Sequence, residues 1–260
     1  MEPIHEAQAD QPGAELLEQV RERGWATVKL LGPGEVAQLA SGYGELADEQ
    51  GFGCRPSTIS PDPAYRLAAR DHVAAVLEPA VQRILPGYRC VVAAFVPKEV
   101  GDGSAMPMHQ DWSTCDEDEW LPVEVWVPLS QAGADDGTLV VVPGSHRLGP
   151  AQRGSGSPLV APVAVGPEEV VELAPGEALL FHPAIHHRSG PNRGDRLRLA
   201  VVSTFQPVDA PVLHYRVAGD GEAEVYEVAR EHYVAGGAAD GPVEGTLLGT
   251  VAVGQAAQFQ

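Results

Sequence analysis

Glu177-Ala178-Leu179-Leu180-Phe181-His182-Pro183-Ala184-Ile185-His186-His187-Arg188-Ser189-Gly190-Pro191-Asn192 decides how this chain is read. The first part is a short apolar run, entered through Pro175-Gly176 and halted at Pro183, which is the pattern of a strand. The rest carries His182, His186 and His187 within six residues, then a serine and a Gly-Pro-Asn turn. An apolar strand that opens into imidazoles outlines a metal site held on a β framework.

Working upstream, the β texture reaches back to Tyr88. Arg89 to Val96, Val123 to Leu129, Thr138 to Val142 and Val170 to Leu173 are short and β-rich, and Leu197 to Phe205 follows the quoted stretch. Asp136-Gly137 and Pro143-Gly144 mark turns between them. Strands at this spacing predict a sandwich or barrel. Before Tyr88 the period changes. Leu16, Leu17, Val20 and Arg21 predict a short helix stopping near Gly24, and Trp25 to Leu30 a strand. A second helix begins at Pro33, with Val36, Leu39, Ala40 and Tyr43 at helical spacing. Residues 50–64 read as a loop and 66–84 as a third helix ended by Pro86-Gly87. Helices gathered at one end are expected to buttress one sheet. Residues 147–168, rich in Gly, Pro and Ser, are expected outside the core, and residues 1–13 as a frayed leader. The reading is one domain over 1–260: a mostly helical buttress at 1–87, a β-core at 88–216 and a C-terminal cover at 217–260.

The chain has 260 residues, 44% of them hydrophobic, which is enough for a substantial core. Its net charge is −19, from 36 acidic residues against 17 Lys and Arg. Such a chain repels nucleic acid and anionic membrane surfaces, so neither is expected as a partner. The start of the sequence lacks a basic then apolar signal pattern, and no apolar run approaches a membrane span. Cys54, Cys90 and Cys115 are odd in number, widely spaced and outside any CxxC pair. That pattern argues against a disulfide framework or a thiolate zinc site and fits a reducing, cytoplasmic location.

His109-Gln110-Asp111 is the second chemical landmark. In an extended segment His109 and Asp111 share a face. Two imidazoles and one carboxylate are the protein half of a mononuclear non-haem iron(II) site, leaving three coordination positions for small molecules. The tripeptide alone has a blander reading, a loop aspartate satisfying backbone amides beside a half-buried histidine. The third ligand is open at this level among His182, His186 and His187, although neighbours 186 and 187 cannot face the same way in an extended chain. Arg196 and Arg198 alternate onto one face, and either guanidinium suits bidentate capture of a carboxylate. A surface ion pair is the plainer role for each.

These pieces, taken in order, resemble the phytanoyl-CoA dioxygenase-like branch of the iron(II)/2-oxoglutarate oxygenases. The resemblance runs from about Phe95 to Phe205. It rests on Phe95-Val96-Pro97-Lys98, His109-Gln110-Asp111-Trp112, Val125-Trp126-Val127-Pro128-Leu129 and Gly137 through His146. Gly176 to Phe181, His187-x-Ser189-Gly190-Pro191-Asn192 and Arg198 complete it. It implies a double-stranded β-helix, a jelly-roll, cupin-like core, in a mainly β protein with flanking helices. It further implies Fe(II) on His109, Asp111 and His187, with Ser189 and Arg198 meeting the far carboxylate of 2-oxoglutarate. Gln110 and Trp126 match positions lining the cosubstrate pocket, and Lys98 matches a frequent basic position. The Pro143-Gly144-Ser145-His146 turn is read as structural, so His146 stays out of the metal site. Arg188 stands where the family usually has a small residue, and its side chain is expected to point outward.

The resemblance implies O₂-dependent decarboxylation of 2-oxoglutarate to succinate and CO₂, coupled to hydrogen abstraction from an unactivated C–H bond. Related halogenases have Gly or Ala at the position of Asp111, so the carboxylate favours hydroxylation. Desaturation, cyclisation and epimerisation begin with the same abstraction. The expected substrate is a small molecule, an amino acid or a secondary-metabolite intermediate. Arg55, Arg66, Arg89 and Arg188 are scattered cations that could meet an anionic substrate, with plain surface placement the blander role for each. No basic cluster stands ready for an acyl-CoA or carrier handle. Two other classes compete: a catalytically silent metal- or metabolite-binding sandwich, and a cupin-type isomerase or 2-oxoglutarate-independent dioxygenase. The intact three ligands and arginine weigh against the first, and the second has no reason to carry Ser189 with Arg198.

Overall fold

The computed structural model describes residues 13–46, 53–148, 153–154, 166–219, 222–235 and 243–252. Helix α1 (Ala14–Arg23) leads into strand β1 (Trp25–Lys29), helix α2 (Pro33–Leu46) and helix α3 (Pro63–Gln82). Strands β2 (Tyr88–Lys98), β3 (Met106–His109), β4 (Val123–Pro128), β5 (Leu139–Val141) and β6 (Glu169–Val170) follow. After them come β7 (Glu177–Phe181), β8 (His187–Ser189), β9 (Arg198–Pro207), β10 (Leu213–Gly219) and β11 (Glu222–Val228). Helix α4 (His232–Ala235) and β12 (Gly245–Ala252) close the series.

Two sheets face each other as a jelly-roll sandwich. The larger runs β1-β7-β4-β9-β2 and the smaller β3-β8-β5-β6, with neighbours antiparallel. Alternation explains why the central strands read as nearly unbroken apolar runs, for they are buried on both faces. Ala178 and Leu180 of β7, with Val123, Val125 and Val127 of β4, point outward into a cluster with Val20, Leu39, Val73, Leu77 and Val81 of the three helices. Leu179 and Phe181, with Trp126 and Ala200, point inward against Leu139, Val141 and Ile185. Helices α1–α3 therefore buttress the outer face of the larger sheet, leaving its inner face to the site.

Asp62 caps α3 by accepting from the Ala64 amide, ahead of Pro63 in the first turn. Gly24 ends α1 in a left-handed conformation, φ 93°, and a Cβ there would lie 2.6 Å from His146 Nδ1. Only glycine meets both demands. A third sheet, β10-β11-β12, stands apart from the sandwich sheets. Val212, Val228 and Tyr233 from this region pack on Val91 and Val92 of β2, with Trp112 at the margin.

Three details differ from expectation. Strand β6 covers only Glu169–Val170, and Leu173 joins Ala132 in an isolated bridge. Strand β3 is four residues long and contains a proline, and β8 is three polar or charged residues, so both are too short to give a readable alternation. Residues 147–168 were expected outside the core, yet Arg153 within them is 1% exposed. Its guanidinium finds a buried carboxylate partner, which composition could not reveal. The remainder of that segment at 149–152 and 155–165, residues 1–12 of the leader, and 47–52, which include the first three residues of the expected loop, lie outside the described residues. Among the described residues no helix is long and apolar enough to cross a membrane.

Candidate metal centre

The short pairing of β3 with β8 places His109 directly opposite His187. Cross-strand partners on one face bring their side chains together, and the two imidazole centroids lie 4.2 Å apart. His109 Nδ1 is 2.8 Å from the Pro107 carbonyl and His187 Nδ1 is 3.0 Å from the Ile185 carbonyl. A carbonyl only accepts, so each Nδ1 carries the proton and each Nε2 keeps its lone pair for a metal. Burial, then the facing His109 ring, pushes His187 down to about 4, so it is neutral at neutral pH.

Asp111 lies past the end of β3, where no ladder holds it. Its N–H donates to the Pro183 carbonyl at 2.9 Å and its C=O accepts from Arg153 Nε at 2.6 Å. The carboxylate oxygens stand 3.7 Å from His109 Nε2 and 3.7 Å from His187 Nε2. One potential ligand atom from each of the three residues falls within 4.8 Å of the others. Among the described residues no other group of three or more His, Cys, Asp or Glu converges in this way. Two imidazoles and one carboxylate suit Fe(II).

Arg198 opens β9 on the inner face, opposite Lys98 across the ladder. Its guanidinium lies over the Trp126 ring at 5.4 Å, and it is buried with Nε and Nη1 unpartnered. Burial lowers it to about 10, which still leaves it charged at neutral pH. A buried cation with orphaned donors is costly unless an anion meets them. Lys98 is different. Its Nζ donates to the Ser104 carbonyl at 2.7 Å, the Gly190 carbonyl at 2.7 Å and Ser189 Oγ at 2.9 Å, using all three protons. Burial brings Lys98 down to about 8. Lys98 therefore fixes Ser189 in place, and Arg198 holds the unpaired donors. Arg196 is exposed, and its carbonyl accepts from Asn192 Nδ2 at 2.8 Å.

The remaining expected residues have clear placements. Gln110 is buried and donates from Nε2 to the Ala184 carbonyl at 2.5 Å, tying the two ligand-bearing segments together. The His186 backbone N–H donates to Ser145 Oγ at 2.8 Å, and the residue lies outside the converging group. His182 Nδ1 accepts from the Ala184 amide at 3.1 Å and its ring faces His146 at 5.2 Å. His146 Nε2 lies 3.0 Å from the Arg21 carbonyl, at the end of α1. Arg188 points outward to Glu168 at 2.5 Å.

Sequence reasoning missed three buried ionisable side chains around the segment that carries Asp111. Glu117 and Arg153 form an ion pair at 2.6 Å with both side chains 1% exposed. Glu124 accepts from Thr204 Oγ1 at 2.6 Å, and burial, then the nearby Asp111, pushes its carboxyl well above the usual range. The alternation of β4 gave a signal for Glu124, which shares the inner face with Trp126. Nothing local marks Arg153.

The sequence profile of the phytanoyl-CoA dioxygenases (PhyH) matches residues 25–200. The chain belongs to this family. No curated protein matches the sequence. Among solved structures, the epimerase SnoN from nogalamycin biosynthesis, in complex with Fe3+, alpha ketoglutarate and nogalamycin RO, aligns with TM-score 0.57 and 22% identity. That alignment covers 90% of this chain and 94% of SnoN. The carbocyclase SnoK from the same biosynthesis aligns with TM-score 0.55 and 18% identity, covering 76% of this chain and 85% of SnoK. HygX from Streptomyces hygroscopicus, with nickel and 2-oxoglutarate bound, gives TM-score 0.52 and 20% identity, covering 75% of this chain and 87% of HygX. At these identities the likeness is one of fold.

Proposed function

We propose that the protein is an Fe(II)/2-oxoglutarate-dependent dioxygenase that hydroxylates an unactivated C–H bond of a small molecule, an amino acid or a secondary-metabolite intermediate. The observation that carries this reading is the buried Arg198 with two orphaned donors in the same sandwich as the converging His109, Asp111 and His187. Bound together, iron, 2-oxoglutarate and O₂ supply an oxidant able to take hydrogen from carbon, with succinate and CO₂ released. His109, Asp111 and His187 hold the metal on one face through Nε2, a carboxylate oxygen and Nε2. Arg198 and the hydroxyl of Ser189 hold the far carboxylate of 2-oxoglutarate. Lys98 sets the position of Ser189, Trp126 walls the pocket beneath the guanidinium, and Gln110 braces the ligand segments. The free thiols of Cys54, Cys90 and Cys115 support a cytoplasmic setting.

Epimerisation or ring closure is the second reading, favoured by the fold likeness to SnoN and SnoK. One screen separates the outcomes. The protein is incubated with Fe(II), 2-oxoglutarate and O₂ over a metabolite panel, following succinate and product mass. Hydroxylation adds one oxygen atom, desaturation or ring closure removes two hydrogens, and epimerisation leaves the mass unchanged. Absence of substrate-dependent succinate across a broad panel, with metal and 2-oxoglutarate bound, would favour a silent binding protein instead.

A further inference from the structure

Asp111 is the one member of the converging group that the sheet does not hold. Strand β3 ends at His109, so the carboxylate depends on whatever fixes its two peptide groups. The N–H side is tied to Pro183, in the turn before His187. The C=O side is tied to Arg153 Nε at 2.6 Å. Arg153 comes from a distant part of the chain, and its main chain is clasped to the segment just beyond Asp111. The Arg153 N–H donates to Ser113 Oγ at 3.0 Å, and the Ser113 N–H donates to the Arg153 carbonyl at 3.0 Å.

The guanidinium is itself oriented. Arg153 Nη2 lies 2.6 and 2.9 Å from the two oxygens of Glu117, and the Ser113 hydroxyl bonds the same carboxylate. Because a guanidinium is planar and rigid, fixing Nη2 on Glu117 fixes the direction of Nε–H towards Asp111. A buried ion pair is a poor source of stability, since well-packed apolar residues of the same volume do as well. It does supply a directional donor at a set place, which an apolar pair cannot.

We propose that Arg153, locked by Glu117, is a positioning residue that aims the Asp111 carboxylate at the metal. The inference rests on the metal-centre reading above and extends it to residues that touch neither metal nor 2-oxoglutarate. Outer contacts of this kind orient metal ligands, and their loss commonly weakens metal binding by about 10–100-fold.

The test is a titration with Co(II), in place of Fe(II), of the full-length protein, followed by its visible absorption. Two variants are compared with wild type, each checked for folding by circular dichroism and thermal melting. Arg153→Lys keeps a cation opposite Glu117 but has no Nε–H for Asp111. The double variant Arg153→Met/Glu117→Met removes both charges, so neither is left buried alone. Both are expected to bind Co(II) about 10–100-fold more weakly with an altered spectrum, while the double variant stays folded. Folded variants with wild-type affinity and spectrum overturn the proposal. Failure of both to fold overturns it too, because the pair would then be an element of folding. Asp111→Ala separates this result from failure of the metal reading. If wild type binds no Co(II), or Asp111→Ala binds it equally well, the metal centre itself is misassigned.

Discussion

At the residue scale, the chemistry divides between groups whose donors are satisfied and groups whose donors are not. Lys98 has three partners for three protons, and Arg198 has two donors without any. Substituting Arg198 with Ala is therefore expected to raise the 2-oxoglutarate requirement strongly while leaving metal binding intact, as read from succinate formation against 2-oxoglutarate concentration. An unchanged requirement would move the anchor elsewhere. Substituting Lys98 with Met reaches 2-oxoglutarate only indirectly, by releasing Ser189 together with the Ser104 and Gly190 carbonyls, and should raise the requirement less. Asp111→Ala and His187→Ala are each expected to abolish succinate formation. Much of this site was legible as residue types in order. The choice among His182, His186 and His187, or between Arg196 and Arg198, was not legible from pattern alone, because adjacent histidines and alternating arginines are equivalent to a periodicity. Only the family resemblance separated them. Arg153 was illegible altogether, since its partner Glu117 is 36 residues away in sequence.

At the element scale, β7 shows why apolar runs were easy to read and strands of three or four residues were not. Its side chains divide between two cores, Leu180 among the helices and Phe181 inside the sandwich against the His187 ring at 4.9 Å. Leu180→Ala and Phe181→Ala should each cost roughly 3 kcal/mol or more in denaturant unfolding. Only Phe181→Ala should also weaken metal binding, and equal effects on metal would contradict the division of faces. β3 and β8 instead get their register from hydrogen bonds and imidazole placement, which leave no hydrophobic signature. The turn before β5 offers a further check. Gly137 has φ 69°, and a Cβ there would stand 2.6 Å from the Gly190 carbonyl and 2.7 Å from Lys98 Cδ. Gly137→Ala is expected to destabilise the protein by about 1–3 kcal/mol. It should also raise the 2-oxoglutarate requirement by shifting Lys98 and the turn after Ser189. Wild-type melting and turnover would remove that turn from the account.

At the scale of the whole molecule, burial of imidazoles governs the response to acid. His182 is pushed down to about 3, His187 to about 4 and His214 to about 4, in each case chiefly by burial. Unfolded, these groups take up protons near 6.5, so between that pH and about 4 the unfolded chain binds more protons than the folded one. The histidine contribution to the stability of the metal-free protein should accordingly fall as pH drops from 7 towards 5, by about 1–2 kcal/mol for His182 and His187 and less for His214, opposed by the carboxyls of Glu117 and Glu124, which burial pushes up. Thermal melting of wild type against His182→Asn across that range checks it, and an identical pH dependence of the two midpoints would contradict the buried, neutral placement of His182. The sandwich and its helical buttress followed from strand spacing and a change of period, whereas the three-stranded sheet formed by β10, β11 and β12 lay in a tail of mixed composition that gave no pattern. The central claim is that one pocket holds iron and 2-oxoglutarate together, and anaerobic visible absorption tests it without knowledge of the substrate. A charge-transfer band that needs both Fe(II) and 2-oxoglutarate is expected in wild type, lost in His187→Ala and shifted to higher 2-oxoglutarate in Arg198→Ala. No band in wild type, or an undiminished band in His187→Ala, would contradict it.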